Sequence, residues 1–459
     1  MKPNFYITTL GCLKNEADSR DIYKSLILNG FINSGKLSDA NFHIINTCGF
    51  IEEAKKETIN TIFTAISFKK KLNIDQKLIV VGCFAERYKN EIKNEIPEVD
   101  LIIGTGKYNQ IGEILRNEFN LSAKNLKTID TYTFLNSIPY NKRFYLPIKI
   151  SEGCNRNCSF CAIPNFKGKF FYKEKSEILK EIKEILKQNP HIREICLVSQ
   201  DTNSYGENYL ELINLIEEIE EIPEIKWIRL LYLYPDKKTE KILKEIYKKK
   251  FNKIVPYLES PVQHVSESIL KKMNRFGNYS FFKDLFFFAR ELFPDLEIRT
   301  SFLVGFPEEK AQDIELIKKF INECEIEHIS FFPYSREEGT SSFYFKNQIT
   351  KKEIGRRVNE LQNFYDEQLK KIMEKNLHKT FTCILEKITT KEMYFRRPQS
   401  SPEIDDVVIV NFNYKDFKEN NIALPKLGNF YEIKINGFVA YDYLGNLVND
   451  SIEFSNAKV

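Results

Sequence analysis

Over the first 120 residues, short apolar runs alternate with amphipathic stretches. The runs are short enough for strands, and the stretches between them repeat their apolar residues with the period of a helix. Strands are predicted at residues 5–9, 42–46, 77–81 and 101–103, and helices at 18–28, 53–68 and 86–95. Because strands that alternate with helices pair in parallel, this region predicts a doubly wound α/β sheet.

The alternation resumes with longer units between residues 144 and 335. Strands are predicted at 146–150, 194–199, 227–232, 254–258, 297–303 and 327–332, with helices between them, for example at 173–187 and 236–249. Six such units predict a partial (β/α)6 parallel barrel. In parallel barrels the functional groups gather on the loops at the carboxyl ends of the strands.

The last part of the chain changes from helix to short strands. A long amphipathic helix is predicted at 351–375, followed by β-prone runs at 380–385, 407–412, 430–435 and 437–443. This pattern favours a small C-terminal antiparallel β-barrel. We therefore predict an N-terminal domain at 1–120, a linker at 121–143, a barrel domain with its trailing helix at 144–375, and a C-terminal domain at 376–449.

Composition narrows the class of protein only moderately. The 459 residues are 42% hydrophobic and 29% charged, which is typical of a globular protein, and the net charge of +4 indicates no particular partner. No apolar run approaches the length of a membrane span. Because Met1 leads directly into a predicted strand, we expect no secretory signal and a cytoplasmic location. Nine cysteines in such a protein favour metal or redox chemistry over disulfides.

Three of these cysteines stand close together directly after the first predicted barrel strand. Cys154, Cys158 and Cys161 have the spacing C-x3-C-x2-C. Three thiolates on one loop can bind three irons of a four-iron cluster and leave the fourth iron open for another ligand, which favours catalysis. The alternatives are a zinc site and free buried cysteines. Zinc usually takes four ligands in two paired knuckles, and no second knuckle lies nearby in the sequence.

A second set of cysteines follows the predicted N-terminal strands. Cys12, Cys48 and Cys83 each lie just after a strand, where the carboxyl ends of parallel strands converge. A glycine lies beside each one and allows a sharp turn or a close approach of the backbone. This pattern by itself is weaker, because isolated cysteines often pack as small apolar residues.

The local sequences around both sets resemble the radical S-adenosylmethionine (SAM) methylthiotransferase family over nearly the whole chain. The resemblance is carried by residues 10–15 (LGCLKN), 46–51 (NTCGFI), 148–154 (IKISEGC), 199–202 (SQDT), 261–264 (PVQH) and 302–307 (FLVGFP). Residues 396–406 are similar to the start of that family's terminal barrel, the TRAM domain.

The resemblance implies two [4Fe-4S] clusters and SAM as cofactors. It assigns Cys154, Cys158 and Cys161 to the catalytic radical SAM cluster, and Cys12, Cys48 and Cys83 to an auxiliary cluster. It further implies that one SAM methylates a sulfur on the auxiliary cluster. A second SAM gives the radical that removes hydrogen from the substrate.

Within this family the chain resembles the RimO-type enzymes, which modify an aspartate of small-subunit ribosomal protein twelve. The alternatives are the MiaB-type enzymes, which modify a tRNA adenosine, and a non-catalytic cluster-bearing scaffold or RNA-binding protein. From residue 375 onward the chain carries 11 basic and 11 acidic residues, so the terminal barrel is neutral and poorly suited to bind phosphates. Glu403, Asp405 and Asp406 are predicted either to face a basic protein loop or to stay solvated at a turn.

Several polar residues near strand ends are candidates for binding SAM. Gln200 and Asp201 end the second barrel strand, on the expected active-site face. Arg299 and Ser301 share one face of a later strand and are candidates for the carboxylate or ribose. Gly305 allows a close approach of the backbone to adenine, although a turn explains it equally well. Tyr205 and Arg275 are weaker loop candidates.

The resemblance also predicts the partners. These are ribosomal protein twelve, free or on the ribosome, and an electron donor of the flavodoxin or ferredoxin type. We expect no membrane association and a monomer.

Overall fold

The computed structural model describes residues 3–49, 51–121, 143–413 and 424–448. The predicted linker lies almost entirely outside the described residues. The N-terminal region forms a five-stranded parallel sheet with the order β2-β1-β3-β4-β5. Its strands are β1 Asn4–Thr9, β2 Ile32–Asn33, β3 Phe42–Thr47, β4 Lys77–Gly82 and β5 Leu101–Ile103. The predicted doubly wound parallel sheet is thus confirmed, with β2 as an additional edge strand.

Helices cover both faces of this sheet. They are α1 Leu13–Leu28, α2 Glu52–Leu72, α3 Cys83–Arg87, α4 Lys89–Glu95 and α5 Ile111–Glu118. Ile22 and Leu26 of α1 pack with α5 on one face, whereas Ile62 and Ile66 of α2 pack on the other. Strand β3 has apolar neighbours on both sides, and all six of its residues are buried. Helix α5 was not predicted, and the helix predicted at 86–95 is two short helices, α3 and α4.

The central region contains the six predicted parallel strands, arranged as two three-stranded sheets with the orders β10-β9-β6 and β11-β12-β13. A single parallel bridge between Ile228 and Ile254 links the sheets. The strands are β6 Tyr145–Lys149, β9 Glu194–Val198, β10 Trp227–Leu230, β11 Tyr257–Glu259, β12 Glu297–Val304 and β13 His328–Pro333. A short antiparallel pair, β7 Ser151–Glu152 and β8 Phe171–Tyr172, brackets the C-x3-C-x2-C segment.

Helices follow the strands of this region. They are α6 Ile163–Lys167, α7 Lys175–Gln188, α8 Tyr209–Glu220, α9 Lys237–Lys249, α10 Glu267–Lys272, α11 Tyr279–Leu292 and α12 Ala311–Cys324. The long trailing helix, α13 Lys351–Glu374, packs against β13 and α12. No helix in the described part of the chain is both long and apolar enough to cross a bilayer.

The C-terminal region is a closed five-stranded barrel with the order β14-β15-β16-β18-β17. Its strands are β14 Thr380–Ile388, β15 Glu392–Arg396, β16 Val408–Asn411, β17 Phe430–Val439 and β18 Asp442–Leu447. The prediction of a purely antiparallel barrel is wrong at one pair, because β16 and β18 are parallel. A ring with an odd number of strands cannot alternate direction throughout, so one neighbouring pair must be parallel.

Buried ion pairs join the C-terminal barrel to the central region. Arg397 donates to both carboxylate oxygens of Glu297 at 2.6 and 3.0 Å and to Asp406 at 3.1 Å. Asp405 pairs with Arg299, and its side chain is 1% exposed. Both predictions for Asp405 and Asp406 are therefore wrong, since these carboxylates neither face a partner nor stay in water.

Glu403 behaves differently from its two acidic neighbours. Its side chain is 49% exposed, and it lies 3.2 Å from the guanidinium of Arg143.

Candidate functional site

The three N-terminal cysteines meet at the carboxyl edge of the five-stranded sheet. Cys12 follows β1, Cys48 follows β3, and Cys83 begins α3 directly after β4. The strand order reverses between β1 and β3, and this switch point is where open α/β sheets bind ligands. The topology therefore places the predicted set of cysteines at the expected position of a site.

The glycines beside these cysteines are required by close backbone packing. A Cβ on Gly11 would lie 2.7 Å from the Cβ of Cys48 and 2.9 Å from its Sγ. Gly11 also has a φ of +90°, which side chains rarely adopt. A Cβ on Gly49 would lie 2.9 Å from the Cα of Phe84, the residue after Cys83. The three cysteine-bearing turns are thus in direct contact.

Buried amide and hydroxyl groups hold these turns together. The side-chain nitrogen of Asn15 donates to the carbonyl of Leu10 at 2.8 Å and to that of Thr47 at 3.1 Å. Asn46 returns a hydrogen bond to the carbonyl of Asn15 at 2.9 Å, and the hydroxyl of Thr47 donates to Val81 at 2.6 Å. The first bond closes the turn after β1, and the other three link the segments at the carboxyl ends of β1, β3 and β4, so the relative position of these turns is fixed before any ligand binds.

Hydrogen-bond donors point at two sulfurs of the C-x3-C-x2-C loop, residues 154–161. The backbone N–H of Arg156 lies 3.4 Å from Cys154 Sγ, and the guanidinium of Arg275 lies 3.6 Å from Cys158 Sγ. Donors at a sulfur favour its thiolate form. Burial acts in the opposite direction and raises the pKa of Cys161 to about 12.

Loops that follow the central strands brace this segment. Arg156 donates to Asp201 at 2.7 Å and to Asp236 at 2.8 Å, and its guanidinium lies 3.7 Å from the ring centre of Tyr234. The backbone N–H of Ser159 donates to Met273 at 2.9 Å. A short loop without regular structure thereby has a fixed shape.

The two cysteine sets lie against each other. Cys83 packs in one apolar cluster with Ala162 and Phe166, and Ala162 directly follows Cys161. Burial raises the pKa of the Cys83 thiol to about 12, and the neighbouring ammonium of Lys167 partly offsets this effect. Helix α6 therefore begins at one set and ends beside the other.

A buried group of four charges seals the junction between the N-terminal and central regions. Asp18 pairs with Lys149, and with Lys167 at 2.9 Å. Glu152 lies 2.8 Å from Lys149 and 3.1 Å from Lys167. The Asp18 side chain is fully buried, and the two lysines hold its pKa down at about 2. Two carboxylates and two ammonium groups thus balance in this buried group, and Asp21 approaches Lys149 from its edge at 3.6 Å.

The spacing of the sulfurs decides between a zinc ion and a larger metal group. Thiolates around one zinc would lie about 3.8 Å apart, given a zinc–sulfur bond of about 2.3 Å. Among the described residues, the group of three possible ligands whose atoms all lie within 4.8 Å of one another is Glu297, His328 and Asp406, not either cysteine set. A cluster binds each thiolate through a separate iron, so its ligands lie farther apart than those of a single zinc ion.

Two of the predicted SAM contacts lie beside the cysteine loop. Asp201 accepts from Arg156, while its Oδ1 is buried without a hydrogen-bond partner. The side-chain nitrogen of Gln200 donates to Glu152 at 3.3 Å, and its Oε1 is also buried without a partner. Unpaired buried acceptors of this kind suit a ligand that brings N–H or O–H donors.

The other predicted contacts have partners within the protein. Arg299 pairs with Asp405 and donates to the Ser330 hydroxyl at 2.8 Å. The Ser301 hydroxyl accepts from Gln263 at 3.2 Å. Gly305 has a φ of +85°, and a Cβ there would lie 2.4 Å from Ile354 of α13, so helix packing already requires this glycine.

Three further residues belong to the site but were not predicted from the sequence: Arg156, Tyr234 and Lys167. Arg156 stands inside the cysteine motif itself, and Tyr234 follows a barrel strand at its carboxyl end, which were usable signals. Lys167 gave no such signal, because its partner Asp18 lies 149 residues away in the chain. Arg275, a weak candidate in the sequence, directly contacts a cysteine sulfur.

Comparison with known proteins gives matches along the chain. Residues 4–104 match uncharacterized protein family UPF0004, residues 148–321 match the radical SAM superfamily, and residues 379–448 match the TRAM domain. A protein of Leptospira biflexa described as ribosomal protein uS12 methylthiotransferase RimO is 44% identical over 95% of this chain and 96% of its own length. Proteins with the same description from Acetivibrio thermocellus and Thermotoga maritima are 34% and 35% identical, over 98% and 96% of this chain and 100% and 99% of theirs.

Solved structures with low sequence identity share the fold alone. The radical SAM methyltransferase TsrM of Kitasatospora setae, with cobalamin and a [4Fe-4S] cluster bound, is 12% identical. The match covers 72% of each chain with a TM-score of 0.51.

Proposed function

The chain belongs to the family of ribosomal protein uS12 methylthiotransferases, RimO, and we propose that its six site cysteines hold the two [4Fe-4S] clusters of such an enzyme. It is a radical SAM transferase that adds a methylthio group to the β-carbon of an aspartate in uS12. We assign Cys154, Cys158 and Cys161 to the cluster that binds SAM, and Cys12, Cys48 and Cys83 to the auxiliary cluster. We also infer that the two central sheets together form the partial (β/α)6 barrel of this family.

The packing of Cys83 in one cluster with Ala162, the neighbour of Cys161, and with Phe166 carries the proposal. A radical made at one site must reach a substrate that also meets the sulfur delivered from the other. Cysteine sets on separate faces of the protein would not allow this. Here α6, which has only five residues, separates them.

The clusters, when bound, supply the electron that cleaves SAM and the site that carries the sulfur. The protein supplies position and charge. Burial raises the pKa of Cys154 and of Cys161. The backbone N–H of Arg156 partly offsets this effect at Cys154, and the guanidinium of Arg275 partly offsets it at Cys161. The unpaired oxygens of Gln200 and Asp201 are proposed to accept hydrogen bonds from the amino group or ribose of SAM. The charges around Asp18 exclude water from the junction, which protects a radical from side reactions.

The reaction itself explains why the protein relies on cofactors. The β-carbon of an aspartate has no hydrogen that a side-chain base could remove. Acid–base catalysis contributes only about 10²–10⁴-fold. The protein therefore leaves the difficult step to the cofactor and holds the reactants in place.

The C-terminal barrel supports a protein substrate over tRNA. Nucleic-acid affinity depends mainly on contacts of basic residues with phosphates. In this barrel Arg396 pairs with Glu194 at 2.6 Å, and Arg397 pairs with Glu297 and Asp406. Two of the eleven basic residues at this end of the chain are therefore engaged internally.

Anaerobic reconstitution with iron and sulfide tests the assignment. The wild-type protein should bind about eight irons, cleave SAM with dithionite and add the mass of a methylthio group to uS12. Cys158→Ala should retain about four irons and lose SAM cleavage. Cys48→Ala should retain about four irons and SAM cleavage but transfer no sulfur.

Cys324→Ala is the matched control. This cysteine is fully buried in α12, outside both sets, so the variant should keep all the iron and the transfer activity. Equal loss of SAM cleavage in Cys158→Ala and Cys48→Ala would refute the division of roles. Added mass on tRNA would favour the MiaB-type activity, and a reconstituted protein that does not cleave SAM would be a scaffold.

A further inference from the structure

The cysteine loop of residues 154–161 reaches the protein surface. Asn155 and Asn157 are exposed, and Cys154 and Cys158 are partly exposed. The loop is held by segments that surround it on several sides. Its hydrogen-bond and ion-pair partners include Gly168, Phe170, Asp201, Asp236, Lys272, Met273, Asn274, Arg275 and Ser342.

The exposed charges around this loop are mostly positive, although exposed Glu308 pairs with Lys272, one of the loop's partners. Four exposed lysines lie within two sequence positions of a loop partner: Lys169, Lys237, Lys238 and Lys271. We call these four residues the lysine collar. The acidic residues in the same windows are Asp201 and Asp236, and Arg156 binds both. Since the whole chain carries a net charge of only +4, this is a local excess.

Exposed aromatic side chains stand in the same segments of the chain as the loop's partners. Phe171 is 59% exposed, Phe276 is 43% exposed and Tyr344 is 76% exposed. Phe171 follows the residue that donates to Asn155, Phe276 follows Arg275, and Tyr344 lies two positions after Ser342. Aromatic side chains of this kind are enriched at protein interfaces, where they supply contact area.

The geometry points to the lysine collar and its aromatic residues as the docking site of an acidic one-electron carrier protein. The inference rests on the proposed function, because each SAM cleavage consumes one electron at the site held by the loop cysteines. The reduced carrier gives up one electron and is oxidised. That electron breaks the carbon–sulfur bond of SAM, which leaves methionine and a 5′-deoxyadenosyl radical.

The charge pattern suits a brief encounter rather than a stable complex. Complementary charge raises the rate of association more than the affinity, and redox encounters use small interfaces. A nucleic acid would also be attracted to lysines and aromatic rings, but it has no electron to deliver to the loop.

The test variant is Lys237→Glu/Lys238→Glu. These residues begin α9, where acidic side chains favour the helix dipole, so the fold should tolerate them. The charge-matched control is Lys187→Glu/Lys248→Glu, which alters exposed lysines in the last turns of α7 and α9. Formation of 5′-deoxyadenosine by the reconstituted enzyme is measured with reduced flavodoxin as the probe, and separately with dithionite, at low and high salt.

We expect the flavodoxin-driven rate of Lys237→Glu/Lys238→Glu to fall about tenfold at low salt, while its dithionite-driven rate stays at the wild-type level. The control variant should keep the wild-type rate with either reductant. High salt should remove the difference. An unchanged flavodoxin-driven rate, or an equal fall in the control, would overturn the docking site. So would a loss of RNA binding in the test variant without a change in the flavodoxin-driven rate. Failure of the wild type to cleave SAM with dithionite would instead overturn the proposed function, and this inference with it.

Discussion

His328 should make the attachment of the C-terminal barrel sensitive to alkaline pH. Its imidazole lies 3.0 Å from Glu297, 3.5 Å from Asp405 and 3.9 Å from Asp406. Arg299 and Arg397 bind the same carboxylates. Three carboxylates therefore face two guanidinium groups, and a protonated His328 supplies the third positive charge.

The magnitude follows from the pKa of His328. Burial lowers this pKa, but Asp405 and Glu297 more than compensate and raise it from 6.5 to about 9. A raised folded-state pKa means that the stabilisation is complete below pH 6.5 and is lost as the pH rises toward 9. Between pH 7.5 and 9.5, folded His328 loses a proton that the unfolded chain has already lost. At about 1.4 kcal/mol per pH unit up to the folded pKa, the free energy of unfolding should fall by about 2 kcal/mol.

Trp227 gives a direct assay for this effect, because it is the single tryptophan of the chain. Its ring lies at the same junction, 5.0 Å from that of Phe430 and 5.4 Å from the guanidinium of Arg396. Urea unfolding is followed by tryptophan fluorescence at pH 7.5 and 9.5 for the wild type and for His328→Gln. The neutral variant should be less stable at pH 7.5 and should show no loss between the two pH values. Equal pH dependence in both proteins would refute the reasoning.

Two further predictions concern packing and buried charge. Gly11→Ala should reduce the bound iron by about half and retain SAM cleavage, because the new methyl group would overlap Cys48. As a contrast, Gly355→Ala has open space around the new methyl group in α13 and should stabilise the protein by about 0.4–1 kcal/mol. Normal iron binding in Gly11→Ala would contradict the close packing. Arg397→Met should lower the free energy of unfolding by about 3–5 kcal/mol in the same urea assay, because it leaves two carboxylates buried without their cation. A loss below 1 kcal/mol would mean that water reaches this junction.

The sequence predicted the elements better than their connections. Strands β1, β3, β4 and β5 were predicted almost to the residue, because apolar runs between helical stretches are a local signal. Strand β15 and helix α5 were missed. The residues predicted as two strands at 430–435 and 437–443 instead form β17 and the start of β18. Turn positions depend on which strands pair, and the barrel closes through a parallel pair that no local pattern shows.

The candidate site divides in the same way. The spacing of Cys154, Cys158 and Cys161 is local, so it was readable as a cluster loop from the sequence. Arg299 was a reasonable candidate for SAM, yet its nearest anion is Asp405, which lies 106 residues further along the chain. Nothing in the strand pattern around Arg299 could indicate this partner.

The sequence alone determined which residues can bind iron and on which strand ends they lie, because thiol chemistry, spacing and strand periodicity are properties of short segments. The tertiary structure decided that Cys83 packs in one cluster with Ala162, that Lys167 pairs with Asp18, and that Asp405 and Asp406 are buried. Such contacts join residues far apart in the chain. They form only where packing removes both partners from water, and a buried charge is stable there only beside an opposite one.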